Sequence, residues 1–390
     1  MEEKITYDFD SIVDRAGTHS EKYDALKRYF GTTQVEPFWV ADMDIPTPTF
    51  LSDALKNRTY HSLYGYTEKD SSIYESIIWW MNDQHDVDVG ANMITLSPSV
   101  VCTISMAIQA FSSIGDRIVV LSPVYGPFFS TVKLHDREVS DCPLLINYNR
   151  YEMDWNLIET ELSNTKTKMI LLCNPQNPSG RVWTYKELLN LGQLCQKYNV
   201  ILISDEIHSD IVYQPAKHTS ILSIPEIRDN CVMAHSIGKT FNTSGLKSSF
   251  SIVPNEKLRS KLQRMHRLSH TDNINLFGKM AITRLFTPNG REYKRQLNSY
   301  LNNNVKQVYE MLSGVKGLKP MLPEATFLVW CDFNFYGSWR NMSHRLINEA
   351  KIALSGGTFF GPSGEGWFRI NCGHSRKQLL PAVERICSLF

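Results

Sequence analysis

The chain has 390 residues, of which 42% are hydrophobic and 11% aromatic. This is more core than a single cooperative unit usually holds, so two associated domains are expected. Forty-one basic residues stand against forty acidic ones, a balance that supplies no field for nucleic acid or an anionic membrane. Apolar runs such as Met169 to Cys173 and Val200 to Ile203 fall far short of the ~20 residues that cross a bilayer. The opening MEEKITYDFD is acidic and polar, unlike a secretory signal, so a cytoplasmic location is the expectation.

From about residue 95 to 255, short β-rich runs alternate with helical patterns, as in βαβ units of a mostly parallel sheet. The runs are RIVVLS (117–122), KMILLC (168–173), VILISD (200–205), CVMAHS (231–236) and SFSIVP (249–254). Their near-continuous apolar character predicts strands covered by helices on both faces. Between the second and third, TYKELLNLGQLCQKY (184–198) has apolar residues at helical spacing. Helices are also predicted over 255–268 and 273–286, and Thr287-Pro288-Asn289-Gly290 then reads as a turn. A long helix to about 313, strand 326–333, helix 341–352, strand 368–372 and a C-terminal helix follow, the succession of a smaller α+β domain. The expected division is a large domain over 51–287 and a small one made of 1–50 and 288–390.

Eight cysteines, at 102, 142, 173, 195, 231, 331, 372 and 387, form no C-x-x-C pair, and no histidines cluster at zinc-ligand spacing. They read as free core thiols, and no metal site is expected. Gly361 to Gly366 is glycine-rich but lacks dinucleotide-fingerprint spacing, and no G-x-S-x-G appears, which argues against a serine hydrolase. That glycine-rich loop reads as a segment near the substrate.

Three consecutive predicted strands end in polar motifs: Asn174-Pro175-Gln176-Asn177-Pro178-Ser179-Gly180, Ser204-Asp205-Glu206-Ile207-His208, and Ser236-Ile237-Gly238-Lys239-Thr240. Ligands in an open α/β sheet bind beyond such carboxyl ends. In this order and spacing the motifs resemble the fold-type I pyridoxal-phosphate enzymes of the class I and II aminotransferase group. Together with WVADMDIPTP (39–48), GYTE (65–68), NPQNPSGRVWT (174–184), SDEIHSDIVY (204–213) and GKTFNTSGL (238–246), they are similar to its cystathionine beta-lyase branch.

The resemblance implies an α/β large domain with a mostly parallel sheet and a smaller α+β domain. It implies that Lys239 carries pyridoxal 5′-phosphate as a Schiff base and removes the substrate's α-proton. Asp205 would keep the pyridine nitrogen protonated, Asn177 would donate to the phenolate oxygen and Tyr125 would stack on the ring. The amides of Val100 and Val101, at a predicted helix start, would meet the phosphate with the Ser236 hydroxyl. Lys247 either binds the phosphate or is a surface lysine. His208 stands where many relatives place a tyrosine, and is either a cofactor contact or a structural histidine. Glu206 is either solvated or a structural neighbour.

Arg369, on a strand that tolerates a guanidinium only beside an anion, matches the residue that grips the substrate α-carboxylate. Tyr64 or Tyr66 would reach into a neighbouring subunit's site, which implies a homodimer with shared sites and an amino acid as the small-molecule partner. The implied reaction is cleavage of L-cystathionine or a related cysteine S-conjugate to a thiol, pyruvate and ammonia. The same residues would serve an aminotransferase, and a third reading is a cofactor-binding regulatory protein.

Overall fold

The computed structural model describes residues 6–390, so the first five residues of the opening segment read for targeting, which also begin the expected small domain, lie outside it. Seven strands build the main sheet: β1 (Ile94–Ser97), β2 (Arg117–Val120), β3 (Glu138–Asp141), β4 (Thr167–Cys173), β5 (Ile201–Asp205), β6 (Cys231–Ser236) and β7 (Ser249–Ile252). Their spatial order is β1-β7-β6-β5-β4-β2-β3. The pairs from β6 through β3 are parallel. Strand β7, expected among the parallel strands, instead runs antiparallel to both neighbours. The chain covers only the short turn 237–248 between β6 and β7, too few residues for a parallel crossover.

Successive side chains on a strand point to opposite faces, and both faces here are buried. Ile118, Val120, Met169, Leu171, Ile203 and Val232 pack with Val100, Ile104 and Ile108 of one helix and Leu262 of another. The alternate residues Val119, Ile170, Leu172, Leu202 and Met233 face the second core. Helix α1 (Ser71–His85) lies in that second core, whereas α2 (Val100–Phe111) and α4 (Glu256–Leu268) cover the first. Helix α3 (Tyr185–Lys197) begins with a capping box: the Thr184 hydroxyl accepts from Glu187 N while the Glu187 carboxylate accepts from Thr184 N.

Thr287-Pro288-Asn289-Gly290 is no turn. Thr287 caps, and Pro288 opens, the 26-residue helix α5 (Pro288–Ser313). Proline at the first helical position has no amide to waste, so the signal marked a helix start. A second, antiparallel sheet follows, with β8 (Lys319–Met321), β9 (Leu328–Asp332), β10 (Ser355–Gly356) and β11 (Trp367–Asn371) in the order β8-β9-β11-β10. Helix α6 (Arg376–Cys387) closes the chain against α5. Glu36–Pro37 pairs in parallel with Ile352–Ala353, which ties the segment before residue 50 to the C-terminal part.

Candidate active site

Strands β4, β5 and β6 end side by side, and the parity of each strand decides what faces α2. Asp205 follows Ile203 by two residues, so its carboxylate lies on the α2 side. There a cavity of about 170 Å³ is lined by Ala41, Pro98, Ser99, Val100, Val101, Tyr125, Cys173, Asn177, Asp205, Ile207, His208, Ser236, Lys239, Ser244, Lys247 and Ser248. Nine of the sequence-named residues therefore share one cavity, and Arg369 joins it through Asn177. The loop bearing Asn177 closes on Gly180, where φ is +72° and a Cβ would come within 2.5 Å of Ala325 O, so only glycine fits.

Lys239 stands in the turn after β6, partly exposed to the cavity, with Nζ donating to Ala41 O at 2.5 Å. Burial lowers its pKa to about 8, opposed by the nearby Asp42 carboxylate. Burial raises the Asp205 carboxyl to about 6, while a bond from Ile207 N and the charge of Lys239 work against that rise. Burial holds His208 well below its usual value, so its imidazole is neutral at physiological pH. The enclosed Nδ1 of His208 has no hydrogen-bond partner among the described residues. Burial also raises the Tyr125 hydroxyl.

Arg369, on β11, is buried without a carboxylate partner among the described residues. Its Nη1 donates to Asn177 Oδ1 at 3.0 Å, and Nη2 to Trp39 O at 2.6 Å and Ser355 Oγ at 3.3 Å. Nε is enclosed and unpaired among the described residues. Burial brings the guanidinium down to about 10, still charged at neutral pH. Burying a cation with neutral acceptors alone is costly, which marks a place for an anion.

Helix α2 begins at the cavity wall. The Ser99 side chain accepts from Cys102 N at 3.1 Å, leaving the amides of Val100 and Val101 facing outward from the helix start. The Ser236 hydroxyl donates to Ser248 O at 2.6 Å and accepts from Gly238 N, so its hydrogen is committed. Ser248, which sequence reasoning passed over, has a buried hydroxyl with no partner among the described residues. Only the return of β7 beside β1 brings Ser248 there. Tyr64 and Tyr66 lie outside this cavity, exposed along a groove of about 370 Å³ with residues 273–277.

Glu206, on the opposite face, is buried and structural: its carboxylate accepts from Ser204 Oγ and Ile221 N and faces His218 Nε2 at 3.2 Å. Beside it the fold assembles a cluster invisible in sequence spacing, with ligand-capable atoms of His85, Asp210 and His235 within 4.8 Å of one another. Trp80 Nε1 and Thr240 Oγ1 each donate to the Asp210 carboxylate at 3.0 Å, and Lys294 Nζ lies 3.7 Å away. These donors fill its lone pairs, so the cluster ties α1, β6 and α5 beneath the Lys239 turn.

The family model described as aminotransferase class I and II matches residues 41–386. The chain belongs to this family. It is 38% identical over 381 residues to Cystathionine beta-lyase PatB of Bacillus subtilis strain 168, covering 97% of this chain and 98% of that protein. Among solved structures, cystalysin from Treponema denticola, which contains pyridoxal 5′-phosphate, superposes with a TM-score of 0.94 at 28% identity over 98% of both chains. The pyridoxal-phosphate-bound C-S lyase from Staphylococcus hominis gives 0.92 at 27% identity, again over 98% of both. These neighbours share the fold-type I architecture expected from the sequence.

Proposed function

We propose that this chain is a pyridoxal 5′-phosphate-dependent carbon-sulfur β-lyase, cleaving L-cystathionine or a related cysteine S-conjugate to a thiol, pyruvate and ammonia. The observation that carries the reading is the convergence of Lys239, Asp205, Asn177 and Arg369 on one cavity, in a chain 38% identical to a cystathionine beta-lyase along nearly its whole length. The unpaired groups suit this cofactor. A buried carboxylate, two helix-start amides and an orphan hydroxyl match a cationic ring nitrogen and a phosphate.

Bound there, the cofactor supplies a sink for the electron pair left when the α-proton departs. Lys239 would hold it through Nζ and, as a free amine, would take the α-proton; its lowered pKa keeps free base available near neutral pH. Asp205 supplies the negative charge that keeps the ring nitrogen protonated. Asn177 has given its Oδ1 to Arg369, so its Nδ2 is the group left to donate to the phenolate oxygen. Tyr125 would cover the ring, and the amides of Val100 and Val101, the hydroxyls of Ser236 and Ser248 and the Lys247 amine would hold the phosphate. His208 lies on the cavity wall as a neutral imidazole beside the cofactor. Arg369 receives the α-carboxylate, its fork already oriented by Asn177 and Trp39 O.

The protein acts as a homodimer in this reading, with Tyr64 or Tyr66 completing the partner's phosphate site; their exposure and the groove beside them support it. The small domain comprises the segment before residue 51 and 288–390, supported by the pairing of Glu36–Pro37 with Ile352–Ala353. Eight free thiols suit the reducing cytoplasm. Incubation with L-cystathionine and no keto acid tests the reaction: pyruvate and thiol in equal amounts are expected. Turnover only after a keto acid is added would make the chain an aminotransferase.

A further inference from the structure

The segment from Trp39 to Ile45 forms one wall of the site without belonging to a helix or strand. Two of its carbonyls serve the two cations of the site: Trp39 O accepts from Arg369 Nη2 at 2.6 Å and Ala41 O from Lys239 Nζ at 2.5 Å. The intervening carbonyls are held elsewhere. Val40 O and Asp42 O both accept from Nδ2 of Asn371, each at 2.6 Å, which uses both hydrogens of that amide. Asn371 Oδ1 accepts from Gly373 N at 2.7 Å, so the fully buried amide has one orientation.

A second asparagine grips the next stretch. Asn242 Oδ1 accepts from Met43 N at 3.0 Å, and its Nδ2 donates to Met43 O at 2.7 Å and Ile45 O at 3.0 Å. It does so from the left-handed conformation, with φ +54°. Asn371 follows Arg369 by two residues on the same face of β11, and Asn242 follows Lys239 by three in the same turn. Each cation is thus linked through the chain to an asparagine that holds the wall presenting its acceptor.

We propose that Asn371 and Asn242 are positioning residues, aiming the Trp39 and Ala41 carbonyls at Arg369 and Lys239 and so setting how these two groups meet the amino-acid substrate. The inference rests on the roles given above to Lys239 and Arg369. The wall does not depend on the asparagines for its place. Lys22 Nζ donates to Asp42 O at 3.0 Å, Arg15 Nη1 to Met43 O at 3.2 Å, and Asp44 N to Gly373 O at 2.7 Å. Ser355 Oγ also donates to Trp39 O at 2.7 Å and Lys22 keeps Asp42 O, so loss of Asn371 frees the Val40 carbonyl between them and loosens the aim of its two neighbours while the segment stays attached.

The test uses holoenzyme of Asn371→Ala, Asn371→Asp and Asn242→Gly, the last keeping the left-handed backbone at little cost. Steady-state KM and kcat with L-cystathionine, and the pH midpoint of the visible absorption of the Lys239-linked cofactor, are measured below each variant's melting temperature. We expect the absorption band to remain, KM to rise at least about tenfold in both Asn371 variants, the scale of one misdirected hydrogen bond to a charge, and the midpoint to move in all three. Asn371→Asp keeps the bond from Gly373 N but lacks the donors, so it should follow Asn371→Ala. Lowered melting temperatures with KM and midpoint unchanged would overturn the inference, as would wild-type behaviour of Asn371→Asp. A wild-type chain with no Lys239-linked band would overturn the functional reading itself, and this inference with it.

Discussion

The sharpest consequence of the site concerns the pH at which Lys239 becomes a nucleophile. Its pKa is about 8 where an ordinary lysine has 10.5, because the ammonium has lost most of its water and the Asp42 charge restores only part of the loss. Only the neutral amine attacks an aldehyde. At pH 7 a pKa of about 8 leaves roughly one amine in ten unprotonated, against roughly one in 3,000 for an unperturbed lysine, an advantage of about 300-fold. Stopped-flow mixing of apoenzyme with pyridoxal 5′-phosphate, followed by absorbance, should show capture rates that rise with pH, bend near pH 8 and then level. Asp42→Asn removes a charge that favours the ammonium, so the bend should move to lower pH. A wild-type rate that climbs with unit slope past pH 9.5 would refute the burial argument. Lys239→Ala should show no covalent capture at all.

In the proposed reaction Asp205→Asn would remove the buried charge opposite a cationic ring nitrogen. At about 4 Å and an effective dielectric constant of about 20 that interaction is worth about 4 kcal/mol, so retention of cofactor on dialysis, or kcat, should fall on the order of 10³-fold. In the proposed reaction Arg369→Ala would forfeit two charge-assisted bonds to the substrate carboxylate, each worth about 1.5–3 kcal/mol, and should raise KM by about 10² or more while kcat changes less. Lys22→Met leaves Asp44 buried without its lysine and should cost about 3–5 kcal/mol in denaturant unfolding. Burial alone would raise the Asp42 and Asp44 carboxyls. Arg15 and Lys22 instead hold Asp42 below the usual 3.8, and His374 followed by Lys22 does the same for Asp44. Their stabilisation is therefore complete above that value and fades as pH falls below it. An acid-unfolding midpoint insensitive to Lys22→Met would contradict this.

Much of the site was legible because strand ends are local features. Apolar runs with polar termini placed Asn177, Asp205 and Lys239 at neighbouring edges, and alternation put the Asp205 carboxylate on the α2 side. The helix start carrying the amides of Val100 and Val101 was likewise local. The turn assigned to 287–290 failed because proline and glycine signal a helix start as readily as a turn, and only the 23 residues that follow decide between them.

By itself, the sequence determined which residues could do chemistry here and at which strand ends they stand, since hydrophobic periodicity and chain order need no partner. The tertiary structure decided everything that depends on distant segments meeting. It reversed β7, which brings Ser248 to the cavity beside the expected Ser236. It folded residues 39–45 against Lys239 and Arg369, and it gathered His85, Asp210 and His235 from three parts of the chain. Hydrogen bonds and desolvation act over a few ångströms in space, and distance along the chain carries no record of them.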